Sequence, residues 1–306
     1  MLCVVPIWPQ RTIRSRAALA ALVGLCALLL AALGPLTWPP ALLTALAAAL
    51  AYAWSTRRYY RRRRLTAAPF PEPWRRILER RVDFYHKRLD QAGRARFEDD
   101  VRIFLDEQQI YGAGEGDAAF QVDDEARVLI AASAAILCHG RPDFEWPRLR
   151  DIVVHPRSFD RDYKADGERP ELAGMVHSQG PILISARDLK LGYRRADGHN
   201  VGLHELAHVL DLADGYADGV PAGVDWSATA PWVALITDRL RQLRKKRGGG
   251  LLRDYAATDE AELFAVAVEG FFERPALLRA KDPALYALLA EYFHQDPAAR
   301  DGRAKM

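Results

Sequence analysis

The stretch Gly198-His199-Asn200-Val201-Gly202-Leu203-His204-Glu205-Leu206-Ala207-His208-Val209-Leu210-Asp211 decides how this chain is to be read. His204 and His208 are four residues apart, so on a helix both imidazoles lie on one face, one turn apart. Two neutral imidazoles so placed can hold one zinc ion. Glu205 points about 100° around the helix from His204. It is too far round to share their coordination position, yet close enough to reach a water held there, which is where a general base belongs. Val201, Leu203, Leu206, Ala207, Val209 and Leu210 make the helix a buried one, with Asn200 as its cap. Burying two histidines and a glutamate to no purpose would be costly. The bland alternative is a hydrogen-bonded histidine pair beside a solvated Glu205.

A catalytic zinc takes three protein ligands and leaves a fourth position open. After the motif the sequence has only one more histidine, His294, and no third His stands at a short spacing. The third ligand is therefore expected to be a carboxylate from a later helix. Tyr255-Ala256-Ala257-Thr258-Asp259-Glu260-Ala261-Glu262-Leu263-Phe264-Ala265-Val266 is the best candidate stretch. Thr258 or Asp259 caps the helix, Glu262 falls in its first turn among apolar residues, and Glu260 reads as solvated. Glu269, two turns on along the same face, is the alternative, as a ligand or as a support for one. Asp211 reads as a hydrogen-bond partner for a ligand imidazole. His155, His177 and His199 read as packing or hydrogen-bonding residues, Cys138 as a small buried hydrophobe, and Trp226 and Trp232 as core.

Around these stretches the soluble part reads as mainly helical. Amphipathic periodicity predicts helices over Trp74–Leu89 and Arg94–Gln109, an Ala-rich buried helix over Asp124–Cys138, and further helices over Val201–Leu212, Pro231–Lys246, Asp259–Glu273 and Pro283–His294. Ile152–Val154 reads as a short strand. Gly174–Ser185 reads as two more around a Gly180-Pro181 turn. Pro181 is compatible with an edge position for Ile182–Ser185, where it could pair with a substrate backbone; the alternative is an interior strand. The class is α+β, a helical peptidase domain with a small sheet, over residues 74–306.

Residues 1–64 differ in kind. Ala17–Leu36 is apolar and long enough to cross a bilayer, after Arg11, Arg14 and Arg16. Pro35, Pro39 and Pro40 break it around Trp38. A shorter apolar run, Ala41–Trp54, ends in Arg57, Arg58, Tyr59, Tyr60 and Arg61–Arg64. Positive charge at both outer ends predicts two transmembrane helices in a hairpin with both ends cytoplasmic, in a bacterial inner membrane. The second run spans only if its flanking Tyr and Arg side chains snorkel. A cleaved signal peptide or a re-entrant segment are the alternatives. Residues 65–73, with three prolines, read as a linker. The net charge of +3 owes much to the Arg57–Arg64 segment, so it gives no ground for nucleic-acid binding. Of Cys3, Cys26 and Cys138 only the last lies in the soluble part, which excludes an internal disulfide there.

The quoted motifs resemble those of the Mlc titration factor A family of zinc peptidases. Asp197-Gly198-His199-Asn200-Val201, His204-Glu205-Leu206-Ala207-His208-Val209-Leu210-Asp211, Tyr255 to Asp259, Ala261-Glu262 and Phe264-Ala265-Val266 carry the likeness. Ser178-Gln179-Gly180-Pro181 and Gly219-Val220-Pro221 add to it. It covers roughly Pro73 to Pro297. The resemblance implies a gluzincin-like site, with His204, His208 and Glu262 holding one Zn2+ and Glu205 as base. It also implies aminopeptidase-type activity and binding of the glucose repressor Mlc. The apolar hairpin and the Leu243–Leu251 loop depart from the family pattern. The chain is thus expected to be a membrane-anchored zinc metallopeptidase acting on peptides or proteins, with Tyr255 as an oxyanion donor or else a packed core tyrosine. The rival expectation is a regulatory protein that sequesters a transcriptional repressor and uses zinc structurally.

Overall fold

The computed structural model describes residues 10–34, 38–116, 119–142, 144–146, 151–158, 174–176, 181–195, 197–224, 226–245 and 254–299. The chain divides into two compact units, residues 1–69 and 70–306.

The first unit is a pair of packed helices, α1 (Gln10–Ala32) and α2 (Trp38–Ala67). Small residues let them approach: Ala27, Ala31 and Ala41 form a buried cluster, and Gly24 lies against Ala45. Arg16 donates from Nη1 to the Ser55 carbonyl at 2.6 Å, which sets the start of α1 beside the middle of α2. Pro39 and Pro40 do not break this helix but open it. Proline is tolerated in a first turn because the missing N–H has no partner there. Helix α2 also runs through Leu65–Ala67, which read as linker, so only residues 68–71 separate it from the next helix. Among the described residues one segment, Ile13–Ala32, is long and apolar enough to cross a membrane, with a mean hydropathy of 2.0. The apolar part of α2 falls short, because its arginines begin soon after Trp54.

The second unit is mainly helical. Its helices are α3 (Glu72–Arg81), α4 (Gln91–Glu107), α5 (Asp124–Cys138), α6 (Ala186–Gly192), α7 (Val201–Asp211), α8 (Trp226–Lys245), α9 (Glu260–Glu273), α10 (Pro275–Lys281) and α11 (Pro283–Phe293). The expected single helix over Trp74–Leu89 is broken. It leaves α3 at Val82, whose backbone is extended, and resumes as a π-helical turn over Phe84–Arg88. Helices α6 and α10 were not anticipated, being too short to show a period. Helix α5 is apolar nearly all round and sits at the centre, packed on α3, α4, α6 and α7.

The strands are β1 (Ile110–Gly112), β2 (Ile152–His155), β3 (Gly174–Val176) and β4 (Ile182–Ser185), in the order β1-β2-β4-β3. The first three in that order are parallel and β3 is antiparallel to β4. The expected edge position of Ile182–Ser185 is therefore corrected. This strand is interior and fully buried, and β3 forms the edge. Its four consecutive apolar or small residues, buried on both faces, already carry that signature. Strand β1 was missed because only two residues separate its three from the end of α4.

Candidate metal centre

Helix α7 starts where Asn200, with extended backbone, accepts a hydrogen bond on Oδ1 from the Leu203 amide at 3.2 Å. The helix then packs on α5 at Gly202. A β-carbon there would meet Ser133 Oγ at 2.3 Å, so only glycine lets the two helices come this close. Helix α9 starts at Asp259, whose Oδ1 accepts from the Glu262 amide at 2.9 Å. Of the two cap candidates, Asp259 takes the role. The two helices lie side by side, and this contact brings distant parts of the chain together.

His204, His208 and Glu262 meet at one point, with their ligand atoms all within 4.8 Å of one another. The two Nε2 atoms are 3.2 Å apart. Glu262 places Oε2 at 3.1 Å from His204 Nε2 and Oε1 at 3.5 Å from His208 Nε2. A tetrahedral zinc with nitrogens at about 2.0–2.1 Å would set two ligand nitrogens roughly 3.4 Å apart. The pair of imidazole nitrogens is close to that spacing, and the carboxylate turns one oxygen to each ring.

Glu269 is the group that orients this site. Its Oε1 lies 2.8 Å from His204 Nδ1, so Nδ1 carries the proton and Nε2 is left to face His208 and Glu262. The other oxygen accepts from the Asn200 amide at 2.5 Å. Of the two roles open to Glu269, the support is the one its position allows. The supporting role expected of Asp211 is not seen. Asp211 is buried against the Gly219 backbone, and burial pushes its carboxyl up to about 6.

The charges favour a cation. Burial opposes charge on His204, but Glu262 and Glu269 more than offset it and raise its imidazole to about 10. Burial likewise opposes charge on Glu262, yet both imidazoles hold its carboxyl well below the usual range. A proton can bridge one pair of these atoms, whereas a divalent cation satisfies all three. Two imidazoles and one carboxylate suit zinc.

Glu205 is buried next to this cluster. Burial pushes its carboxyl up to about 7, against the pull of His204 and His208. Its Oε2 has no hydrogen-bond partner among the described residues. A buried carboxylate oxygen of this kind is a place for a water or a substrate atom. Its other side is covered by the edge strand, since a β-carbon on Gly174 would lie 2.2 Å from Glu205 Oε1. Sequence reasoning missed Gly174. Its one signal, a glycine in a strand, marks close approach of something without saying what.

The loop after α7 ties the two ligand-bearing helices. Gly219 has φ +74° and a β-carbon there would strike the Glu260 carbonyl at 2.5 Å. Its own carbonyl accepts from Trp232 Nε1 at 2.7 Å. The Ala222 amide returns to the Leu210 carbonyl at 2.9 Å, and Tyr292 Oη donates to the Ala222 carbonyl at 3.1 Å. Trp232 is thus core, as expected, packed on Phe264. His155 is buried, and burial lowers the basicity of its imidazole. Tyr255 is placed in the 3-10 turn Asp254–Ala257 just ahead of α9, while its side chain and that of Trp226 lie outside the described residues. So do His177 and Ser178–Gly180.

The chain matches the glucose-regulated metallo-peptidase family M90 over residues 56–294. It belongs to that family. The M90 match begins earlier than Pro73, within the basic end of α2. An uncharacterized protein of Synechocystis is 32% identical over 275 residues, covering 83% of this chain and 96% of the relative. A protein of Salmonella gallinarum named Mlc titration factor A is 29% identical over 197 residues, covering 59% and 72%. One of the same name from Edwardsiella ictaluri is 33% identical over 134 residues, covering 42% and 51%. The Mlc titration factor A likeness drawn from the motifs is therefore shown, and the M90 family brings with it the expectation of a metal.

Proposed function

We propose that this chain is a zinc-dependent peptidase anchored to a membrane by its N-terminal helices, with His204, His208 and Glu262 as the ligands and Glu205 as the general base. The observation that carries this is the convergence of two imidazoles on α7 and one carboxylate on α9 beside a buried carboxylate with a free oxygen. When bound, zinc supplies Lewis acidity, which acidifies water and polarises a carbonyl.

The chain's own groups do the rest. Glu205 takes a proton from water at Oε2 and returns it to the leaving amine. A carboxyl lifted towards neutrality by burial is suited to both halves of that exchange. Glu269 keeps His204 in one tautomer and orientation by holding its Nδ1 proton. The Tyr255 hydroxyl is proposed as a donor to the oxyanion; its place directly ahead of the helix bearing Glu262 supports this. Gly174 allows the edge strand to close over Glu205 and exclude bulk water. Aminopeptidase-type action is proposed from the family likeness alone.

The test is metal content of the purified chain and of His204→Ala, paired with cleavage of a peptide library. One zinc per chain, lost in the variant together with cleavage, is the expected result. Metal-free protein that cleaves equally well would refute the proposal. The helix Ile13–Ala32 and the arginines around it support an inner-membrane location with the peptidase unit cytoplasmic. N-terminal sequencing of the mature chain checks this, because a start beyond residue 32 would mean a removed leader.

A second reading is favoured by the name of the Salmonella and Edwardsiella relatives: a regulatory protein that binds an Mlc-type repressor, with zinc structural. Glu205→Gln separates the two, since it would abolish cleavage and leave repressor binding intact.

A further inference from the structure

A cavity of about 320 Å³ opens between α3, the π-helical turn, α6 and the first turn of α7. Arg80, Arg81, Arg88 and Arg194 line it. The acidic groups in the same wall are committed elsewhere. Asp83 receives Lys87 Nζ at 2.6 Å. Glu273 accepts from the Gly198 amide at 2.9 Å and from Asn200 Nδ2 at 3.1 Å. Arg81 has Glu125 Oε1 at 2.9 Å and donates to the Lys190 carbonyl at 2.8 Å, which fixes its guanidinium in place. Burial makes Arg81 less basic than usual against the pull of Glu125, and the charges of Arg194 and Arg80 add to the lowering. Phe84, Leu203 and Phe272 supply an apolar floor. Guanidinium groups and aromatic surface lining one cavity, with Arg88 over the Phe84 ring, fit a small organic phosphate, whose oxygens take paired N–H donors.

The wall of this cavity connects to the metal centre. Asn200 joins Glu273 through its side chain and Glu269 through its amide, and Glu269 holds His204. We propose that the cavity binds a small phosphate ester, and that its occupancy is felt at His204 through Asn200 and Glu269. The second half rests on the zinc reading above. An anion placed there adds negative charge near a cation site, so it should tighten zinc, and by linkage zinc should tighten the anion.

The test uses the full chain in detergent, with phenyl phosphate as probe and inorganic phosphate and phenol as controls. Calorimetry should show phenyl phosphate binding more tightly than phosphate, and phenol not binding. The variant Arg80→Gln/Arg194→Gln, at two exposed positions, should weaken phenyl phosphate at least tenfold while thermal stability stays unchanged. Zinc affinity, read by chelator competition, should tighten threefold or more with saturating phenyl phosphate in the parent and not in the variant. Absence of binding, or equal binding by the variant, overturns the site. Zinc affinity that is unchanged or weaker with the probe overturns the coupling. A chain that takes no zinc at all refutes the metal reading instead, and the calorimetry then still decides the cavity.

Discussion

Gly174 lies so close over Glu205 that the smallest side chain at 174 would occupy the space of the carboxylate. The two residues come from the edge strand and from α7.

Gly174→Ala is therefore expected to push Glu205 aside. The carboxylate is the far end of a flexible side chain, so the fold should absorb the change. Turnover should fall about tenfold or more, since small displacements of a reacting group are costly. The melting temperature should move little. Steady-state kinetics beside a thermal melt will show it, and a large drop in stability with normal turnover would contradict the placement.

Glu269→Gln removes the charge that holds the His204 Nδ1 proton. Zinc affinity is expected to fall about 10–100-fold, as for other groups that orient a ligand imidazole. Competition against a chelator of known affinity measures this. Unchanged affinity would mean that Glu269 serves only to bind the Asn200 amide.

His139 caps α5 with its ring against Phe84 and Phe97. Burial, helped by the charge of Arg96, depresses its pKa to about 3. In the unfolded chain the imidazole titrates near about 6.5. Between those values the unfolded state holds the extra proton, so this group lowers stability as pH falls, by up to about 1.4 kcal/mol per pH unit. His139→Phe should flatten the slope of stability against pH between about 6.5 and 4, as read by denaturant titration. Parallel profiles for parent and variant would rule the effect out.

Gly202→Ala forces a methyl group onto Ser133, whose hydroxyl also pairs with Tyr193 Oη at 2.8 Å. Overpacking of this kind costs about 1–3 kcal/mol. Chemical denaturation should show the loss, with zinc stoichiometry kept in the protein that remains folded.

The meeting of His204, His208 and Glu262 was partly legible in the sequence: helical period sets the two histidines together, while a capped, apolar first turn favoured Glu262 and left Glu269 open. Asn200 and Asp259 announce the starts of α7 and α9 by the chemistry of their side chains. The sheet was less legible. Strands of three and four residues carry no usable alternation, so Ile110–Gly112 went unseen and the order of β3 and β4 had to come from packing. Gly174 shows the limit of local reading, because what makes it necessary is a side chain 31 positions away. The break at Val82 was hidden for a related reason: the apolar period continues through it. Pro39 and Pro40 misled in the other direction, since the same residue that ends a helix also begins one.

The pinned loop around Gly219 has a mechanical consequence. Its fastenings reach α7, α8, α9 and α11 at once, so it works as a strut that stops the two helices bearing the histidines and Glu262 from splaying. On the opposite side the ribbon Gly174–Val176, paired to β4 along one edge and lying over Glu205, completes the enclosure, so the centre is walled by one braced loop and one strand.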